Sequence, residues 1–143
     1  EHPMALRADI ERVLPQRHEF QLLDAVVMID QERMLFAGYR DILADDWWAR
    51  GHIPGRPLYP GVLMIETAAQ LSAYVHHAVR GTGDFMGFAG VDEVKYRGTV
   101  QPPCRLVIVG RARDIRPRRL VTEVQGFVDG TMVFEAVIVG MVV

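Results

Sequence analysis

The chain has 143 residues, 50% of them apolar and 24% charged, which places it among ordinary globular sequences and excludes a disordered or collagen-like one. Sixteen basic residues against 18 acidic ones give a formal net charge of −2, so the basic footprint of a nucleic-acid binder is missing. No apolar run approaches the roughly 20 residues of a membrane-spanning helix, and no basic region followed by an apolar block marks a signal peptide.

The single cysteine, Cys104, cannot form an internal disulfide and reads as a small apolar packer in a reducing, cytoplasmic setting. A chain of this length fits one domain, residues 1–143. Glu1, His2 and Pro3, ahead of Met4, are set aside as a tag-like remnant.

In chain order, Arg7 to Leu14 predicts a short helix with Ile10, Val13 and Leu14 on one side, ended by Pro15. Ala25 to Asp30 and Met34 to Asp41 predict two strands joined by the polar turn from Asp30 to Arg33. A loop follows from Leu43 to Tyr59. The one long helix is predicted from about Pro60, a residue favoured at the first helical position, to Arg80, with Gly81 placed to stop it. Val62, Ile65, Ala69, Ser72 and Val75 recur at helical spacing, and Leu63, Ala68, Leu71 and Val79 widen the apolar arc, so most of the circumference is expected to be buried.

From Phe85 the pattern changes to strands: Phe85 to Tyr96, Leu106 to Asp114, Leu120 to Val128 and Met132 to Val143, rich in valine, isoleucine and aromatics. Arg116-Pro117-Arg118 and Asp129-Gly130 mark turns. Two strands, a buried helix and four strands make an α+β order. The geometry that fits is an antiparallel sheet of about five to six strands wrapped around one long central helix, the hotdog fold.

The chemistry concentrates between Gly51 and Gln70. A loop stiffened by Pro54, Pro57 and Pro60 carries His52 and runs into an apolar helix carrying Glu66, so an imidazole and a carboxyl, the residue types of general acid–base chemistry, share one segment. Gln70 lies one turn beyond Glu66, within reach of its carboxyl, and is assigned a mainly structural role. His76 and His77 have ordinary roles available at the helix end. No histidine, cysteine or carboxylate cluster has metal-ligand spacing, so neither a metal nor a cofactor is expected. Arg111, Arg113, Arg116, Arg118 and Arg119 flank a turn and read either as solvated side chains or as a docking patch for an acidic partner.

This segment resembles the signature of the FabZ-type 3-hydroxyacyl-[acyl-carrier-protein] dehydratases. Gly51, His52, Pro54, Pro57, Pro60, Gly61, Val62, Glu66, Ala69 and Gln70 match it in register, and similarity extends upstream through Leu14 to Asp24 and downstream through Val94 to Leu106. Ile53 and Ala49 stand where the family has aromatics, and Pro102-Pro103-Cys104 replaces its Pro-Gly-Asp turn. The resemblance implies loss of water from a (3R)-3-hydroxyacyl thioester, giving the trans-2-enoyl thioester, with His52 as base and Glu66 as acid. At the start of the long helix the Gly61 N–H is free and carries the positive end of the helix dipole, so the substrate carbonyl is expected to meet it, with Val62 beside it and Gln70 supporting; acyl carrier protein, or CoA, is expected to bring the acyl chain. The expected assembly is a homodimer whose active sites are shared between subunits, or a trimer of such dimers. Two alternatives stay open: an acyl thioesterase of the same fold with Glu66 as base, and a non-catalytic acyl-thioester-binding module.

Overall fold

The computed structural model describes residues 2–81 and 83–143. Seven strands form one antiparallel sheet: β1 (Ala5–Leu6), β2 (Ala25–Asp30), β3 (Leu35–Ile42), β4 (Met86–Tyr96), β5 (Cys104–Arg116), β6 (Arg119–Val128) and β7 (Thr131–Val142). Their spatial order is β1-β2-β3-β5-β6-β7-β4, so β1 and β4 are the two edges. The helices are α1 (Arg7–Glu11), α2 (Ala49–His52) and α3 (Gly61–Arg80), with a 3-10 turn at His18–Phe20.

The expected α+β arrangement is present, with one correction of count: seven strands rather than five to six. The extra strand is β1, two residues that pair with Val26 and Ala25 of β2 and are too short to leave a period in the sequence. Two helices also differ. The first closes at Glu11, because the Val13 and Leu14 amides both turn back to the Ile10 carbonyl. The second, α2, lies in the segment expected to be loop and ends at His52.

The long helix has the ends its punctuation predicts. Pro60 is its N-cap rather than its first helical residue, and its carbonyl accepts from the Leu63 and Met64 amides. Gly81 takes φ 61° and returns its N–H to the His77 carbonyl, the left-handed cap that glycine adopts without Cβ strain.

One side of α3, carrying Leu63, Met64, Thr67, Ala68, Leu71, Tyr74 and Val75, is buried. It belongs to the same apolar cluster as Phe36, Leu106, Ile108, Val124, Phe134 and Ile138 of the sheet. Each large side chain removed from water there contributes on the order of 1.5–3 kcal/mol, which fixes the helix against the sheet. Ser72 and Thr122 share a buried hydrogen bond of 2.8 Å, and the His76 imidazole, only 2% exposed, donates from Nε2 to the Arg116 carbonyl at 2.7 Å. His76 is therefore a buried strut rather than an exposed helix-end residue.

Most of the circumference of α3 is at least half-buried, as expected, but the side opposite this core is less covered. Val62 is 72% exposed, and Ile65, Glu66, Ala69 and Ala73 are only half-buried. The apolar arc is wide enough for two surfaces, and the sheet covers one.

Two cross-strand pairs shape the sheet beneath the helix. Phe36 stands opposite Gly110, and Phe134 opposite Gly126. A Cβ at Gly110 would lie 2.3 Å from the Phe36 ring, and one at Gly126 would lie 2.4 Å from the Phe134 ring. Each ring lies flat across a missing side chain, which lets the core close over it.

Candidate active site

His52 is the last residue of α2, and its position is set from below. The Trp48 ring, 4% exposed, meets the Tyr59 ring edge to face at a centroid distance of 5.2 Å. The Tyr59 hydroxyl shares a 3.0 Å hydrogen bond with Thr67 on α3, and the Tyr59 amide donates to the Val100 carbonyl at 2.8 Å. Burial pushes the Tyr59 phenol up to about 12, partly offset by the Thr67 hydrogen bond. Both ends of the histidine segment are thus fastened to buried aromatic rings. The approach from β3 is fastened as well: Arg40, only 6% exposed, donates to the Gln21 carbonyl and to Asp46, whose carboxylate also accepts the Leu43 amide.

The His52 ring is exposed, and its Nδ1 lies 2.8 Å from the Leu58 carbonyl. A carbonyl can only accept, so Nδ1 carries the hydrogen and the neutral ring presents an unprotonated Nε2. That is the tautomer of a base.

Glu66 sits half-buried on α3. Burial raises its carboxyl above the ordinary value, and a hydrogen bond from Gln70 partly opposes the shift. The Gln70 amide is oriented without ambiguity: its Oε1 accepts the buried Leu22 N–H at 3.1 Å, so Nε2 faces the Phe20 carbonyl at 2.9 Å and Glu66 Oε1 at 3.1 Å. The structural role expected of Gln70 and its reach to the carboxyl are both present.

Glu66 also lines a cavity of about 240 Å³, walled by Ala69, Ala73, Gly87, Phe88, Ile138 and Gly140 among others. His52 is not among its lining residues. Within one chain, the His52 imidazole stands before α3 and the Glu66 carboxyl opens into a cavity beyond it.

Between them, at the start of α3, the Gly61 and Val62 amides precede the first helical acceptor and carry the positive end of the helix dipole. Tyr96 packs against the Cα of Gly61, where a Cβ would lie 2.7 Å from its ring. The arginine group also resolves. Arg111 and Arg113 both pair with Glu123, and Arg116 and Arg119 with Asp114, so four exposed or half-exposed arginines share two carboxylates and the group keeps a net positive charge. Among the described residues no group of three or more histidine, cysteine, aspartate or glutamate side chains could hold a metal ion.

Sequence reasoning missed Arg40, Asp46, Tyr59 and Thr67 as supports of the site. Their only sequence signal is polarity next to apolar runs, which does not separate a buried pair from a surface one.

A sequence model described as a FabA-like domain matches residues 14–137. The chain belongs to the FabA-like family. Among its curated relatives are 3-hydroxyacyl-[acyl-carrier-protein] dehydratases FabZ. The protein of Campylobacter lari is 32% identical over 139 residues, covering 94% of each chain. That of Mannheimia succiniciproducens is 36% identical over 133 residues, covering 90% of this chain and 86% of its own. Solved structures with the same fold include the dehydratase heterocomplex ApeI:P of Xenorhabdus doucetiae, with a TM-score of 0.77 at 16% identity over 100% of this chain and 92% of that one. A putative thioesterase of Ralstonia eutropha has a TM-score of 0.66 at 13% identity over 82% and 83%. This FabA-like chain therefore has the hotdog fold its element order predicts. None of its described helices is long and apolar enough to cross a membrane.

Proposed function

We propose that this FabA-like protein is a hydro-lyase that removes water from (3R)-3-hydroxyacyl thioesters carried by acyl carrier protein, giving trans-2-enoyl thioesters, and that also runs the reverse hydration. The observation that carries the reading is the Nδ1 contact of His52 with the Leu58 carbonyl, which leaves Nε2 free to take a proton. The FabZ-type relatives, matched over nearly the whole chain, support the same reaction.

In the proposed step the thioester carbonyl oxygen rests at the amide end of α3, on the Gly61 N–H. His52 Nε2 removes the C2 proton while charge builds on that oxygen, where helix-end donors stabilise it. The C3–O bond breaks as the C2=C3 bond forms, and the leaving hydroxyl takes a proton from Glu66 of the partner subunit. Water departs, and transfer of a proton from His52 to that carboxylate restores both groups. A carboxyl raised by burial is suited to hold the proton until it is needed.

Sharing between two copies is supported by three features. His52 is absent from the Glu66 cavity. The uncovered side of α3 carries Val62 and half-buried Ile65. The edge strand β4, paired only with β7, presents Phe88 and Val91 to solvent. A second copy lying along β4 would cover this apolar surface and bring its own glutamate to His52. The reading includes a cytoplasmic location, consistent with the free thiol of Cys104.

The test is to add a trans-2-enoyl thioester to the purified protein and follow the conjugated enoyl absorbance together with free thiol. Hydration without thiol release is expected, lost in His52→Ala and in Glu66→Gln. Thiol release would make the protein a thioesterase, and saturable binding without turnover a binding module.

A further inference from the structure

Tyr96 closes β4, and its ring lies over the first residue of α3. A Cβ built on Gly61 would stand 2.7 Å from Cε1 and Cζ of that ring and 2.9 Å from its hydroxyl oxygen. The glycine thus makes room for this side chain, and the phenol oxygen is brought against the first residue of the helix.

The ring is held in place from the other direction. Tyr96 is the register partner of Phe134, and the two rings stack at 6.4 Å with an angle of 25° between planes. Phe134 itself is fully buried and fixed over Gly126. Despite this support the Tyr96 side chain is 48% exposed, and among the described residues its hydroxyl has no hydrogen-bond partner. Packing raises the phenol above its ordinary value, so it keeps its hydrogen and remains a donor through the neutral range.

We propose that the Tyr96 hydroxyl is a catalytic residue, a second donor to the thioester carbonyl oxygen beside the Gly61 N–H. The argument rests on the dehydratase reading, which puts that oxygen at the start of α3. An oxygen gaining enolate charge has lone pairs for more than one donor, and the bonds strengthen as the charge develops. The hydroxyl stands next to the amide end of the helix, and its stacked ring leaves it little freedom to move away. Its contribution is therefore largest in the transition state and small in the bound substrate.

Tyr96→Phe removes the oxygen alone, keeping the ring, its stacking on Phe134 and its contact with Gly61. In the enoyl-thioester hydration assay the expected result is a fall in kcat of about 100-fold, with KM within about twofold and an unchanged melting temperature. A variant as fast as wild type would overturn the proposal. So would a higher KM at unchanged kcat, which would make the hydroxyl a ground-state contact only. A wild-type protein that hydrates no enoyl thioester would instead remove the dehydratase reading on which the proposal stands. The two failures are therefore told apart by the wild-type control.

Discussion

Gln70→Leu separates the structural from the chemical part of the site. The substitution keeps bulk at a position only 3% exposed and deletes an amide that makes three hydrogen bonds, to Leu22, Phe20 and Glu66. Phe20 is half exposed, so water can replace the amide at its carbonyl; Leu22 is fully buried, so its N–H is left without a partner. An orphaned buried amide costs about 1–3 kcal/mol and each lost hydrogen bond about 1 kcal/mol, partly offset by the added apolar surface. The expected loss of stability is therefore about 2–4 kcal/mol, read from urea unfolding at constant m-value.

The same change has an electrostatic consequence. The Gln70 N–H bonds the ionised carboxylate, which opposes the upward shift that burial imposes on Glu66. Removing it should raise the Glu66 value further, because the ionised form loses a hydrogen-bond donor. Titration of the side-chain carboxyl by carbon-13 NMR measures this directly. A Glu66 value that stays put or falls in Gln70→Leu would refute the assigned orientation of the amide.

Three further outcomes follow from other contacts. Because the folded protein holds the Glu66 proton more tightly than the unfolded chain does, Glu66 favours folding at low pH, and this advantage disappears as pH rises from the unfolded to the folded value. Glu66→Gln should accordingly be more stable than wild type above that window and gain less below it; equal differences in melting temperature on both sides would contradict the buried carboxyl. Arg40→Met leaves the partly buried Asp46 without its cation and should cost up to about 3 kcal/mol by denaturant unfolding, with part of the loss restored by adding Asp46→Leu. Gly126→Ala pushes a methyl into the Phe134 ring and should destabilise by about 1–3 kcal/mol, whereas a neutral result would mean the ring can move aside.

The parts legible in sequence are those written by local rules. Pro60 and Gly81 mark the ends of α3, Asp129-Gly130 forms the turn between β6 and β7 with both residues at positive φ, and His52 and Glu66 fall in register with a family signature. What sequence did not yield depends on which surface meets which. The apolar arc of α3 predicts burial of most of its circumference, yet Val62 remains exposed, because periodicity shows that a face is greasy and not what covers it. Strand β1 and helix α2, of two and four residues, are too short for any period. The rings lying over Gly110 and Gly126 are placed by strand pairing, so only the register of the sheet reveals them, while the Arg40–Asp46 pair, six residues apart, depends on how the chain turns back after β3.

The claim at the centre of the account is that His52 of one subunit works with Glu66 of the partner subunit. His52→Ala and Glu66→Gln chains, each inactive alone, can be co-expressed under two different tags and the mixed assembly purified and assayed for hydration. In random pairing about half the dimers are mixed, and each mixed dimer holds one intact shared site, so the unfractionated mixture should recover about a quarter of wild-type activity. Mixed dimers as inactive as the two parents would contradict the shared site.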